Sequence, residues 1–440
     1  MDRALPVKEF QAHARQRQGR AGGAGRCYNA RVAVDHDVII AGAGPAGASV
    51  AARLRARDAG LRVLVLERYR FPRPKPCGGG LTGHVEEAME ELGFSLDVPH
   101  IASAEARVRF GSYVRTVEME RPVNIIRREE FDASLVRQAR ARGVEIVEGE
   151  GVKHIEADAD QVTVTTSLGR RLSASVLVGA DGVASVTRKY ILDNQKALPH
   201  RLFKLEMTLP QTRDVDPAML YDFTPMSYGL RGYLWVFPVP GRLLNVGLMH
   251  YPAYRTGGPE LIDMLRRGLA ELDLELPERG TRGWPVWGYH PDQPISRPRV
   301  VAVGDAAGID GLTGEGIAVA MEHAVVAGDA VVDAMATGDF SFRDYRQRIR
   351  RAVVGRELAL DRWLARLLYG SKHERWHFWL SLVLFDADVL EMYAARVSGS
   401  QVLADQKRRL FGALGRHALA SRKRRKQLRA AVRGMQAGGG

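Results

Sequence analysis

The sequence predicts an α/β fold: a doubly wound sheet domain, discontinuous along the chain, with an inserted antiparallel β-sheet domain and a helical C-terminal segment. Three observations carry this reading. A β-branched strand at 37–41 runs through Gly42-x-Gly44-x-x-Gly47 into an Ala-rich helix and a second apolar strand at 62–66, ending at Glu67. Two later apolar strands end in acid-bearing turns, Ala180-Asp181-Gly182 and Gly304-Asp305. Between them, "RGYLWVFPVPGRLLNVGLMHY" at 231–251 reads as strand, Pro-containing turn and returning strand, alternating as a half-buried antiparallel pair does.

Each element follows from local chemistry. Residues 1–34 hold seven basic and two acidic side chains, no Ser or Thr and no apolar run, which reads as a disordered leader with Cys27 an incidental thiol. In the glycine fingerprint Gly42 permits the tight turn, Gly44 removes the side chain that would block a pyrophosphate, and Gly47 lets helix and strand pack closely. Glu67, twenty residues after Gly47, is spaced to accept hydrogen bonds from an adenosine ribose, so the unit reads as a dinucleotide site. A helix is expected around 129–142, a hairpin leading to Asp181, and a strand at 299–303 followed by a glycine-rich entry to a long helix near 314. That helix start offers free N–H groups to an anion or an electron-rich ring edge.

The expected domains are a leader (1–34), a dinucleotide-binding domain (35–110, 120–200 and 291–345), an antiparallel-sheet domain (111–119 and 201–290), a helical segment (346–400) and a basic tail (401–440). "FWLSLVLF" at 378–385 is apolar all round, hence a buried helix or one that dips into a lipid surface, and is far short of the ~20 residues that span a bilayer. The net charge of +13 belongs to the ends, because 401–440 carries eleven basic residues against one acid while the body sits near −2. A nucleic-acid partner is therefore not expected. The tail interleaves cations with Leu, Phe and Ala, as membrane-surface helices do, and equally as a solvated basic tail would. Two cysteines make no disulfide framework, and no His/Cys spacing forms a metal site.

The fingerprint with Glu67, "ADG" at 180–182 and "GDAAG" at 304–308 resembles the FAD motifs of the flavoprotein group that includes para-hydroxybenzoate hydroxylase, over about residues 35–345. The resemblance implies FAD in a Rossmann-type domain, with Arg128 of "RREEFDASL" contacting it, Asp305 holding the ribityl chain and Gly314 and Gly316 beside the isoalloxazine. "PKPCGGGLT" at 74–82 and "YLWVFP" at 233–238 further resemble signatures of geranylgeranyl reductases, which saturate double bonds of isoprenoid chains. In such a reaction a proton must reach the alkene carbon opposite the hydride.

Cys77 is a candidate donor, since a neutral thiol sits in an apolar pocket at little cost. It is equally readable as a residue that lines the cavity or merely packs, with water or a tyrosine as the donor. Gly78 and Gly79 beside it would leave room for ring and chain. Tyr233, Trp235 and Phe237, two apart, face one way as a floor for a prenyl chain, and the Tyr233 hydroxyl is a second candidate donor. Arg73 and Lys75 are either solvated or placed to attract a diphosphate headgroup. There is no second fingerprint, so the electron source is expected to be transiently bound NADPH or reduced ferredoxin. The expected location is cytoplasmic or peripheral on the inner face of a membrane. Two other functions share the FAD motifs: a monooxygenase or halogenase, although halogenases carry Trp-x-Trp-x-Ile-Pro where Tyr233 and Phe237 stand here, and an electron-transfer flavoprotein docking to a membrane quinone system.

Overall fold

The computed structural model describes residues 34–193, 201–211, 217–251, 261–309, 312, 314–369 and 376–419. The expected leader up to residue 33 and the basic tail from 420 lie outside the described residues.

From β1 (His36–Ala41) the chain passes through α1 (Pro45–Arg57), β2 (Val63–Glu67), β3 (Gly80–Leu81), α2 (Gly83–Glu91), β4 (His100–Phe110) and β5 (Tyr113–Ile126). It continues through α3 (Arg128–Ala141), β6 (Glu145–Glu148), β7 (Val152–Ala157), β8 (Val162–Thr166), β9 (Arg171–Gly179) and α4 (Val186–Leu192). Next come β10 (Arg201–Pro210), β11 (Met219–Asp222), β12 (Gly232–Val239), β13 (Leu243–His250), α5 (Leu261–Ala270) and β14 (Arg282–Trp287). The described residues close with β15 (Ser296–Arg297), β16 (Val300–Ala302), α6 (Gly316–Thr337), α7 (Tyr345–Arg351), α8 (Val353–Tyr369), α9 (Trp376–Phe385) and α10 (Ala387–Val397), followed by helical residues 407–419.

Two sheets divide these strands. The first has the order β15-β16-β9-β1-β2-β6, with β7 and β8 joined through β9, and its central neighbours β16, β9, β1, β2 and β6 run parallel. Val38, Ile39 and Ile40 are wholly buried, as a central parallel strand requires. α1 lies against α6 where Gly328 gives it room: a Cβ there would meet the Arg53 side chain at 2.6 Å. Arg53 then closes the contact with two 2.8 Å hydrogen bonds to Asp329.

The second sheet has the order β14-β10-β13-β12-β11-β4-β5-β3. It therefore takes in residues 80–81, 100–110 and 113–126, whereas the sequence reading gave it only 111–119 before residue 201. The pairing that draws these strands in is β11 with β4, parallel from Met219↔Ala106 to Asp222↔Arg109. More than a hundred residues separate its partners, so no local pattern announces it.

β12 also differs from the half-buried strand expected, since all eight of its residues are buried. Tyr233, Trp235 and Phe237 do face one way, into a cluster with Leu380 and Leu384 of α9 and Val397 of α10. Leu234 and Val236 face the other way, onto Leu265 and Leu269 of α5. Helices cover both faces, which hides the polar alternation that an open face would show. The apolar run 378–385 is core: Leu380 and Leu384 are fully buried. No helix among the described residues is long and apolar enough to cross a membrane.

His323 belongs to the core of the first domain. It is buried on α6, stacked on Tyr345 at 6.0 Å with its Nε2 3.1 Å from the phenol oxygen. Burial pulls its pKa down to about 4, so it is neutral at neutral pH.

Leu234 is completely buried between β12 and α5. Leu234→Ala should cost about 2–5 kcal/mol of stability by loss of buried surface and creation of a cavity, read as a lowered urea midpoint, while the flavin spectrum of the folded protein stays unchanged.

Candidate active site

A cavity of about 770 Å³ opens where β1, β2 and β9 of the first sheet end, and Gly42, Gly44, Glu67, Cys77, Arg128, Asp181, Asp305, Gly314 and Gly316 all line it. Parallel sheets bind ligands at the carboxyl ends of their strands, and this volume is in the range of cofactor sites. Gly47 stands behind the wall. Its hydrogen faces the Gly42 carbonyl, where a Cβ would come to 1.9 Å, so it serves strand–helix packing. Gly42 holds φ +99°, a conformation open chiefly to glycine. At Gly44 a Cβ would meet only the end of the Arg73 side chain, at 3.3 Å.

Glu67 is buried, and both of its oxygens are held by backbone: Oε2 accepts from Ala43 N at 2.8 Å and Oε1 from Tyr69 N at 3.0 Å. The carboxylate thus ties the fingerprint loop to the end of β2 at the edge of the cavity. Asp181 lines the cavity too, but its carboxylate turns to the start of α4. There it accepts from Ser185 Oγ at 2.5 Å, Val186 N at 2.7 Å and Thr187 N at 3.0 Å. Burial raises its pKa, and these bonds oppose the rise.

Arg128 opens α3 and forms a fork with Asp132, Nε to Oδ1 and Nη2 to Oδ2, both 2.9 Å. Burial disfavours its charge, but Asp132 and the neighbouring Cys77 sulfur more than compensate and hold it cationic. Arg73 reaches the same Asp132 at 3.5 Å, and its buried Nε has no hydrogen-bond partner within the protein. Lys75 is largely shielded, 17% exposed at the side chain, with Nζ 3.2 Å from Asp305 Oδ2 and 4.4 Å over the Trp284 ring. Burial lowers its pKa, and Asp305 partly restores it. So Lys75 is no solvated side chain. α1 and α6 both begin at this cavity without a side-chain cap. Two helix starts, a cradle opened by Gly44, several cations and the orphaned Arg73 Nε together suit an elongated anionic cofactor, and the residues present fit FAD.

Cys77 sits at a junction. It lines the large cavity and also a second one of about 60 Å³, shared with Gly78, Gly79, Tyr233, Trp235, Phe237, Gly314, Glu315 and Ile317. Gly78 and Gly79 are glycine because the loop lies tight on the second sheet. A Cβ on Gly78 would meet the Phe237 ring at 2.9 Å, and one on Gly79, at φ +80°, the Ile126 carbonyl at 2.2 Å. Tyr221, Tyr233, Tyr393 and Val397 of the small cavity also line a third, apolar one of about 150 Å³ between the second sheet and α8–α10.

Sequence reasoning missed several residues here. Glu206 of β10 accepts from the Cys77 backbone N–H, and burial pushes its pKa up to about 7. The signal was a lone acid in the apolar run "LFKLEMTL". Trp235 Nε1 donates to Asn245 Oδ1 at 2.7 Å, fixing the indole. Tyr221 and Tyr393 left no sign, being brought to the site only by pairing and helix packing.

A family model described as an FAD binding domain matches residues 35–231. The chain is 27% identical to the digeranylgeranylglycerophospholipid reductase of Methanocaldococcus jannaschii over 330 residues, covering 72% of this chain and 82% of that one. It is 29% identical over 344 residues to an uncharacterized protein of Methanosarcina barkeri, covering 76% and 84%. Among solved structures, a geranylgeranyl bacteriochlorophyll reductase-like protein from Thermoplasma acidophilum superposes with a TM-score of 0.62 at 21% identity, over 85% of this chain and 99% of that one. A variant of the halogenase PltM in complex with FAD gives 0.64 at 16% identity, over 91% of each. Fold and cavity together define an FAD-dependent oxidoreductase. Within that class the chain is similar to the digeranylgeranylglycerophospholipid reductases.

Two outcomes follow from the cavity wall. Gly44→Val, whose side chain would project into the cavity at the start of α1, should weaken FAD binding by at least about tenfold with an unchanged far-ultraviolet dichroism spectrum, measured by flavin fluorescence titration. Glu206 has its pKa raised from 4.5 to about 7, so the folded state holds a proton that the unfolded state has released. Stability should therefore fall as pH rises through that window, and Glu206→Gln should flatten the fall in urea midpoints measured at its two ends.

Proposed function

We propose that this enzyme saturates carbon–carbon double bonds of an isoprenoid lipid. The observation that carries the reading is the row of three cavities: the FAD cavity meets a small one at Cys77, and that one adjoins an apolar chamber at Tyr221, Tyr233 and Tyr393. An apolar chain laid in the chamber would present an alkene at the junction. FAD, when bound and reduced, supplies the hydride. The protein then has three tasks.

It must exclude water, which the buried faces of Tyr233, Trp235 and Phe237 accomplish. It must supply a proton on the alkene face away from the hydride. Cys77 is our assignment, because the thiolate left behind would lie against the Arg128 guanidinium; Tyr233, whose ring also borders the apolar chamber, is the alternative. It must also anchor a charged headgroup, which Lys75 would attract where the cofactor leaves that cation free. NADPH or reduced ferredoxin would return electrons to the cofactor. The lipid would enter from the inner face of a membrane beside helical residues 407–419, where Phe411 and Leu419 are exposed and Trp363 rests edge-on against Phe411 at 5.8 Å. The likeness to the halogenase PltM favours a second reading, oxygen-dependent chemistry on the same fold.

Anaerobic reduction with dithionite followed by geranylgeranyl diphosphate or a digeranylgeranyl phospholipid should reoxidise the flavin and add mass in steps of two hydrogens. Reoxidation only on admitting oxygen would sink the reductase reading and favour the oxygen-dependent one. Cys77→Ser should lower single-turnover alkene saturation by about 100-fold, in the range of general-acid contributions, with FAD binding retained. Full turnover by that variant would remove Cys77 as donor.

A further inference from the structure

A buried ionic cluster stands behind the small cavity, and none of the roles assigned so far uses it. Its centre is Arg396 of α10, 4% exposed at the side chain. Arg396 forks onto Asp361 of α8, with Nη2 2.8 Å from Oδ2, and lies 3.1 Å from Glu357 of α8 and 3.0 Å from Glu315 at the start of α6. One cation thus meets three carboxylates. A fourth, Glu322, stands seven positions after Glu315, two helical turns and so on the same side, and feels the charges of Glu315, Glu357 and Glu87.

Four buried or half-buried acids around one guanidinium cannot all be ionised at neutral pH, because like charges in a poorly solvated interior raise one another's pKa. The proton falls to Glu322, which burial first and Glu315 second push up to about 8. Burial also raises Glu357. The cluster is bounded on one side by solvent and on the other by the reaction site. Toward solvent, His84 of α2 lies with Nδ1 3.5 Å from Glu322 and 3.8 Å from the half-exposed Glu87, and its buried Nε2 has no partner within the protein. Toward the site, Glu315 lines the small cavity together with Cys77, Tyr221 and Tyr393, whose phenols burial first and the Glu315 charge second push up in pKa. The small cavity of about 60 Å³ carries Cys77, Thr82, Glu315 and three tyrosines in its lining, and water held there would link carboxyl to thiol.

We propose that Glu322 and Glu315, organised around Arg396, form the path by which a proton from solvent is returned to the donor in the small cavity after each double bond is saturated. The proposal rests on the alkene-reductase reading and deepens it. In each cycle the alkene gains a hydride from the reduced cofactor at one carbon and the Cys77 proton at the other. The S–H bond breaks, a C–H bond forms, and the thiolate is reprotonated by the proton stored on Glu322, which the ionised Glu315 carboxylate accepts and hands on through water. Glu315 is thereby left ionised again, and Glu322 is refilled through His84 and Glu87. The electron pair is replaced by the external reductant, a nicotinamide or an iron–sulfur protein. Glu315 and Glu322 act through Cys77 and are positioning and relay residues.

The test separates the first turnover from later ones. With FAD-loaded, prereduced enzyme and a digeranylgeranyl phospholipid, Glu315→Gln should saturate the first double bond within about twofold of the unsubstituted rate but lose at least about tenfold in the steady state. Glu315→Asp should recover part of the loss, and Glu322→Gln, on another turn of α6, should show the same split. Equal losses in both phases, or none in either, would overturn the relay. An independent readout needs no turnover: the infrared spectrum should contain the carbonyl band of a protonated carboxylic acid that disappears as pH rises through about 8 and is absent from Glu322→Gln. A missing band in the unsubstituted protein would overturn the proton store alone, whereas a present band with no alkene saturation would overturn the reductase reading.

Discussion

The arrangement depends on one close contact, the seating of the loop 74–79 on the second sheet. Gly78 lies against the Phe237 ring and Gly79 against the Ile126 carbonyl at distances no side chain would allow, and Glu206 takes the Cys77 N–H from the other side. The loop starts from the first sheet and is pinned to the second. Wherever the two sheets meet, Cys77 is therefore between them, with the large cavity on one side and the aromatic face of β12 on the other.

Charge is handled in two ways around this contact. In the cofactor cavity cations are in excess: Arg73, Lys75 and Arg128 face Asp132 and Asp305, which leaves positive charge for phosphate to neutralise. Behind the small cavity acids are in excess, with Arg396 shared among Asp361, Glu357 and Glu315. Glu315 and Arg128 both approach the pocket that holds Cys77, from opposite sets of elements, so the thiol lies in the field between an anion-rich and a cation-rich wall.

Much of the cofactor domain is legible in the sequence because its signals are local. The run 36–67 contains strand, three glycines, helix, strand and acid within a single βαβ unit, and each residue type has one mechanical reason to be there. The second sheet is far less legible. β4 and β5 enter it through pairing with β11, and β12 hides its alternation because helices cover both faces. The same physics divides the site. Cys77, Tyr233, Trp235 and Phe237 stood out by motif, while Glu206, Tyr221, Glu315, Tyr393 and Arg396 come together only through contacts between distant segments. Asp181 shows a third case, since its motif is plain but its carboxylate is occupied in starting α4.

The apolar chamber under α8–α10 has a further consequence. Its volume of about 150 Å³ accommodates only a short run of chain carbons, and its walls include Leu382, Val383, Leu390, Met392 and Leu410 from three helical segments. A longer chain would have to part those helices, at an energy that grows with each added carbon because close-packed interiors resist expansion. Chain length would then be measured as mechanical work against helix packing rather than as a fit to a rigid mould, and selectivity would be gradual toward shorter substrates and steep toward longer ones.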